Sequence, residues 1–278
     1  MRPLLVIDGD SFAHRAYHAL PKTIHRRRDG RPGNALVGFT NMVLRLWREE
    51  RPRAVLVAWD TLEVPTYRHT SFSGYQGGRV FETELLEQLD LLPSVVESAG
   101  LAYAKEPGYE ADDFLAAAAA AEEAAGGKAL VATSDRDAFQ LATPRTTILQ
   151  PVRGAEPARI GPAEVRDRYG VDPEQVPDFI ALRGDPSDRI PGARGIGEKR
   201  AAELLAQYGS LEAMLEEGRF AAEAHALRLF LEIATLDRSA PLPPLPDAPP
   251  DWAAAAAHAR ELGLDGLAGR LDEASSWS

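Results

Sequence analysis

Short aliphatic runs alternate with longer amphipathic stretches along this chain, and three of the aliphatic runs end at acidic residues. Leu4-Leu5-Val6-Ile7 meets Asp8, Val55-Leu56-Val57-Ala58-Trp59 meets Asp60, and Leu130-Val131-Ala132-Thr133 precedes Asp135 and Asp137. Runs that are short, continuously aliphatic and bounded by polar turns are the pattern of parallel strands buried on both faces. Strands are therefore expected over 4–7, 53–59, 101–104 and 128–133, with an edge strand over 146–151. Between them the period becomes helical. Leu36, Phe39, Val43 and Trp47 follow Asn34, the expected N-cap, and Leu85, Leu89, Leu92 and Val96 line one face of 81–98. The segment 112–123, rich in alanine, has high helix propensity. Strands alternating with helices predict an α/β fold with a central, mostly parallel sheet flanked by helices.

From Gly161 the pattern changes to short helices interrupted by Gly and Pro. A helix over 176–182 and another over 201–208 enclose Gly192, Gly195 and Gly197 in a tight turn. The predicted organisation is a core over 1–160, a helical region over 161–238, and a Pro-rich linker with two outer helices over 239–278. No internal repeat is visible.

Charge and cysteine content narrow the chemistry. The 278 residues carry 31 Lys+Arg against 42 Asp+Glu, a formal balance of −11. That balance disfavours nucleic acid as a partner unless bound cations offset the acids. The bases cluster instead, at His25-Arg26-Arg27-Arg28 with Arg31, and at Arg194, Lys199 and Arg200; the first cluster is as well explained by a solvated loop as by a phosphate contact. With no cysteine there is no disulfide, thiolate zinc site or cysteine nucleophile. No signal-peptide or membrane-spanning pattern is present, so a cytoplasmic location is expected.

The densest acidic stretch is Tyr109-Glu110-Ala111-Asp112-Asp113. On its own it fits an acidic first helical turn, which the helix dipole favours. Together with the acids at the strand ends it predicts one cleft beyond the carboxyl edge of the sheet, where carboxylates that repel one another call for hard divalent cations. Asp10 offers either a second ligand or an N-cap for the following helix, and the cap is the expected role. Arg15 and Tyr17 offer a cation and a ring beside Asp8, and the segment 61–78, with Tyr67, Arg68, His69, Phe72 and Tyr75, suits a grip on a single strand. Glycines at 195 and 197, with Lys199 and Arg200 at the next helix start, suit a phosphate backbone.

Asp8, Trp59-Asp60, Gly108-Tyr109-Glu110-Ala111-Asp112-Asp113, Thr133-Ser134-Asp135-Arg136-Asp137, and Gly184-Asp185-Pro186-Ser187-Asp188 through Gly195-Ile196-Gly197-Glu198-Lys199 follow one another as in the 5′-nuclease family. The chain resembles the flap endonucleases and the 5′→3′ exonuclease domain of bacterial DNA polymerase I over roughly 1–240. The resemblance implies a PIN-like α/β nuclease core, a helix-three-turn-helix (helix-hairpin-helix) region for duplex DNA, and action in replication or repair. It implies a first Mg²⁺ or Mn²⁺ at Asp8, Asp60, Glu110 and Asp112, and a second at Asp135, Asp137 and Asp185. Asp113 and Asp188 would support these through water, and the ions would lie about 4 Å apart. It further implies K⁺ on the carbonyls of the Gly195–Gly197 hairpin, and DNA with a 5′ flap, nick or free 5′ end as partner of a monomer. The first strand starts just after Met1, which points to a free-standing nuclease.

One departure stands out. The family pattern Tyr-Lys-x-x-Arg appears here as Tyr75-Gln76-Gly77-Gly78-Arg79, so Arg79 is retained for catalysis, with Arg15, while Gln76 carries no charge. A slower enzyme is expected, and the 61–80 loop is short for an arch that a strand could thread. Two rivals remain at this stage. One is a DNA-structure binder without turnover. The other is a haloacid-dehalogenase-type phosphatase using Asp8, Asp10, Thr133, Asp185 and Asp188, which gives Glu110, Asp112 and Asp113 no task.

Overall fold

The computed structural model describes residues 2–61, 64–76 and 81–277. Strand β1 (Leu4–Asp8) leads into helix α1 (Gly9–Ala19), then α2 (Asn34–Glu50), β2 (Ala54–Ala58), α3 (Tyr67–Ser71), α4 (Thr83–Ser98), β3 (Ala102–Ala104) and α5 (Ala111–Ala124). Next come β4 (Ala129–Ala132), a 3-10 turn at Asp137–Leu141, β5 (Thr146–Gln150) and β6 (Ala158–Ile160). The sheet order is β3-β2-β1-β4-β5-β6, and only β6 runs antiparallel. Leu4 sits beside Ala54 on one side and Ala129 on the other, so β1, β2 and β4 finish at the same edge.

This register explains the aliphatic runs. Leu4, Val6, Leu56 and Val131 face one core; Leu5, Ile7, Val57 and Leu130 face the other. Each such side chain, fully buried, stabilises the fold by roughly 1.5–3 kcal/mol. Helix α5 lies over β1, β2 and β4 on the first side. That side continues into α6 (Pro162–Tyr169), α7 (Val176–Arg183), α8 (Glu198–Tyr208), α9 (Leu211–Glu216) and α10 (Ala224–Ala234), whose Phe179, Leu204, Met214 and Leu227 join the same core. On the second side α1, α2 and α4 are joined by α11 (Trp252–Glu261) and α12 (Asp265–Ala274).

Four local expectations change. The strand over 146–151 is interior, because β6 pairs with its outer edge. The last two helices are not an outer appendage: Trp252, Leu264, Leu267 and Leu271 are buried in the second core. Asn34 is the first helical residue rather than the cap, and its amide donates to the carbonyls of Tyr17 (2.8 Å) and Leu20 (3.2 Å). Asp8, not Asp10, caps α1 by accepting the Ser11 N–H at 2.9 Å.

A carboxylate-lined candidate active site

The strand ends deliver the acids. Asp8 closes β1, Asp60 follows β2 after Trp59, Asp135 and Asp137 follow β4, and Glu110 and Asp112 begin α5. These six, with Asp10 and Asp188, line a cavity of about 350 Å³. Among the lining residues are also Ser11, His14, Tyr75, Gln76 and Phe81. Backbone donors and hydroxyls hold several acids in place. Asp60 accepts the Ala111 N–H at 2.7 Å, Asp10 accepts the Asp60 N–H at 2.7 Å, and Asp8 accepts the Thr133 hydroxyl at 2.6 Å. Asp135 accepts the Asp137 N–H at 2.9 Å.

Burial under mutual repulsion disfavours the charged forms. Burial first, then Asp60 and Asp135, pushes the Asp8 carboxyl from 3.8 up to about 7, although Thr133 and Ser11 pull the other way. Burial likewise pushes Glu110 from 4.5 up to about 7 against the opposing charge of Arg68. Asp10, Asp112 and Asp137 lie well above the ordinary carboxylate range, again through burial and then acidic neighbours. Most telling is Asp112, whose Oδ1 is buried with no hydrogen-bond partner. An anionic oxygen without a donor suits a cation. Among the described residues no three acids or imidazoles stand close enough together to hold a metal ion as placed.

Several expected site residues lie elsewhere. Asp113 is fully buried behind the cavity, bonded to Arg68 at 2.7 and 2.9 Å, and its oxygens also accept the Glu110 and Asp237 N–H groups. It is a structural acid, not a support for an ion. Arg68 does line the cavity wall, but it is 1% exposed and its guanidinium is committed to Asp113 and Glu110 rather than turned to a DNA strand. Tyr17 is buried too, its hydroxyl donating to Glu82 and Glu84, so it has no face for a base. Arg15 is half-buried and does not line the cavity. Asp185 stands just behind the lining, near enough to raise Asp137, with Ser187 N–H on its Oδ1 at 2.7 Å and Arg183 on its Oδ2 at 3.2 Å. Arg79 lies outside the described residues. Gln76 does line the cavity, and its amide donates to Asp188 at 3.1 Å.

The sequence reading preferred Asp10 as a cap over Asp10 as a ligand, yet it lines the cavity and carries the same signal as Asp8: an acid in the first turn beyond a strand. The basic stretch at 25–31 is largely paired within the protein, through Arg26 with Asp29, Arg27 with Asp265 and Arg31 with Glu87. By contrast the turn between α7 and α8 presents Arg194, Gly195, Gly197, Lys199 and Arg200 to solvent, with Ile196 half-buried beneath them. The turn is built on close backbone approach. Asp185 and Ile190 exchange hydrogen bonds at 2.8 Å, and a Cβ on Gly184 (φ +82°) would stand 2.7 Å from the Ile190 carbonyl oxygen.

A mostly parallel sheet crowned at its carboxyl edge by repelling acids, with a helical turn region attached, is the arrangement expected of a PIN-like core. Known proteins agree. The N-terminal resolvase-like domain of 5′–3′ exonucleases matches residues 3–170, and their C-terminal SAM fold matches 171–249. The chain belongs to the 5′–3′ exonuclease family. DNA polymerase I of Mycobacterium tuberculosis is 40% identical over 215 residues, 77% of this chain and 24% of the polymerase. The thermostable DNA polymerase I of Thermus thermophilus is 38% identical over 250 residues, 86% of this chain and 29% of that one. The chain thus spans about a quarter of the length of these relatives. Its fold superimposes on the bacteriophage T5 flap endonuclease, solved with DNA and metal ions, at a TM-score of 0.72 and 18% identity, covering 98% and 99% of the two chains. Human GEN1, solved with Holliday junction DNA, gives a TM-score of 0.63 at 14% identity, covering 98% and 71%. No helix among the described residues is long and apolar enough to cross a membrane.

Proposed function

We propose that this protein hydrolyses DNA phosphodiesters near 5′ ends, nicks or 5′ flaps, acting as a monomer on backbone and junction shape rather than base identity. The observation that carries this reading is the buried set of unneutralised carboxylates, above all the Asp112 oxygen with no donor. Asp8, Asp60, Glu110 and Asp112 would hold one Mg²⁺ or Mn²⁺. Asp135 and Asp137 would hold another, with Asp185 and Asp188 beside them. Bound there, such ions activate a water and steady the leaving 3′-oxygen. The protein's own part is to fix the acids on strand ends, keep the site partly dry, and admit a frayed strand past His14 and Phe81, which line the cavity. Gln76 contributes a neutral donor to Asp188 and no charge toward the phosphate.

The region 161–238 supplies the grip on duplex. Exposed Lys199 and Arg200 at the start of α8 and the backbone of Gly195-Ile196-Gly197 fit a phosphate run, with K⁺ on the hairpin carbonyls as a further element. A phosphatase built on Asp8 fits less well, because it leaves Glu110 and Asp112, which line the same cavity, without a task. A labelled 5′-flap duplex with Mg²⁺ tests the proposal. Release of a short 5′ fragment supports it. Retarded but uncut DNA indicates a binder, and DNA neither bound nor cut removes the assignment.

A further inference from the structure

Glu110 is held by a segment distant from it in sequence. Its Oε1 accepts the Thr66 hydroxyl at 2.9 Å, and its Oε2 accepts the Tyr75 hydroxyl at 2.9 Å and Arg68 Nη1 at 3.3 Å. These side-chain donors all come from residues 66–75, a strap that includes α3. The strap is anchored from beneath. Arg68 forks onto Asp113 and donates its Nε–H to the Ile233 carbonyl at 3.0 Å. At its far end the Gln76 N–H donates to the Asp188 carbonyl at 3.2 Å and the Gln76 amide to the Asp188 carboxylate. The strap therefore touches two acids of the cavity, Glu110 from both of its ends and Asp188 from one.

A loop that needed only anchoring would be served by Arg68, Asp113 and the Ile233 carbonyl. The Thr66 and Tyr75 hydroxyls do something different: they point at a carboxylate that lines the cavity. Donors to a carboxylate favour its charged form and fix the direction of its free lone pairs. We infer that Thr66, Arg68 and Tyr75 are positioning residues for Glu110, so that seating of the 66–76 strap and divalent-ion affinity form one linked equilibrium. This rests on the reading of the cavity as an ion site. Linkage is reciprocal: if a seated strap tightens ion binding, ion binding must hold the strap seated by the same factor.

The test uses the whole chain and Mg²⁺ alone, without DNA. Mg²⁺ is titrated while thermal unfolding is followed in the wild type, Tyr75→Phe and Thr66→Val. The expected result is a midpoint about tenfold higher in each variant, in the range found when groups supporting a metal ligand are removed, with far-UV circular dichroism unchanged. Hydrogen exchange at the Phe72, Tyr75 and Gln76 amides should slow by about tenfold on adding Mg²⁺ to the wild type, and by much less in Tyr75→Phe. Equal Mg²⁺ midpoints in all three proteins, or strap exchange indifferent to Mg²⁺ in the wild type, overturn the inference. A variant that loses stability without Mg²⁺ and keeps the wild-type midpoint shows a strap that is only structural, and also overturns it. If Mg²⁺ fails to stabilise the wild type, the ion site itself is wrong.

Discussion

Without divalent ions this protein should be more stable at pH 6 than at pH 8. The Asp8 and Glu110 carboxyls, ordinarily at 3.8 and 4.5, are both held up to about 7 in the folded chain. A carboxyl raised on folding binds its proton more tightly in the native state. Its contribution is therefore full below the unfolded value and is lost as pH rises through about 7. For one such group the loss between pH 6 and pH 8 is about 1.4 kcal/mol, and for two independent groups about 3 kcal/mol. Asp10, Asp112 and Asp137 shift in the same direction and add to the trend. In a chain of this size the sum corresponds to a rise in Tm on the order of 5 °C on going from pH 8 to pH 6. Differential scanning fluorimetry in EDTA measures it directly. Mg²⁺ should reverse the ranking, because its ligands must be deprotonated, so the ion raises Tm more at pH 8 than at pH 6. An EDTA-treated protein whose Tm does not rise toward pH 6, or an equal Mg²⁺ effect at both values, would refute the reasoning.

Other substitutions test separate parts of the account. Asp112→Asn removes a buried carboxyl whose Oδ1 has no donor; Mg²⁺-dependent cleavage should fall by at least about 100-fold, and wild-type cleavage in the variant would remove Asp112 from the ion site. Gln76→Lys places an ammonium within reach of Asp188 and the cavity; single-turnover cleavage should quicken by about tenfold, and an unchanged rate would refute the expectation that Gln76 slows the enzyme. Lys199→Ala, at an exposed position beside the hairpin, should weaken DNA binding at every sequence and reduce the slope of log affinity against log salt by about 1. Gly184→Ala forces a Cβ to 2.7 Å from backbone oxygen at a left-handed φ; the denaturation midpoint should fall by an amount worth about 2 kcal/mol or more.

Much of the site was visible in the sequence because the fold converts strand ends into a common edge. Asp8, Asp60, Asp135 and Asp137 follow aliphatic runs, and once the runs are parallel neighbours their acids must gather. Less visible was which polar residues turn inward. Arg68, Tyr17 and Asp113 read in line as groups facing a DNA strand or an ion, yet each is buried by a partner more than forty positions away: Asp113 for Arg68, Arg68 for Asp113, Glu82 for Tyr17. Pairing at that distance leaves no local periodic trace. The same holds for the terminal helices. Their alanine-rich faces gave little indication of burial, and it is Trp252, Leu264 and Leu271 meeting the second core that fixes them. The inner place of β5 could not be foreseen without β6, whose three residues, Ala158 to Ile160, are too short for an alternating pattern to show.

The central claim is that the acids at the sheet edge form a divalent-ion site. Anomalous scattering from a crystal soaked in Mn²⁺ tests it most directly. The account predicts strong peaks within the cavity bounded by Asp8, Asp60, Glu110, Asp112, Asp135 and Asp137, absent from Asp112→Asn crystals at the position nearest that residue. Peaks confined to surface carboxylates elsewhere, with none in the cavity at saturating Mn²⁺, would contradict it.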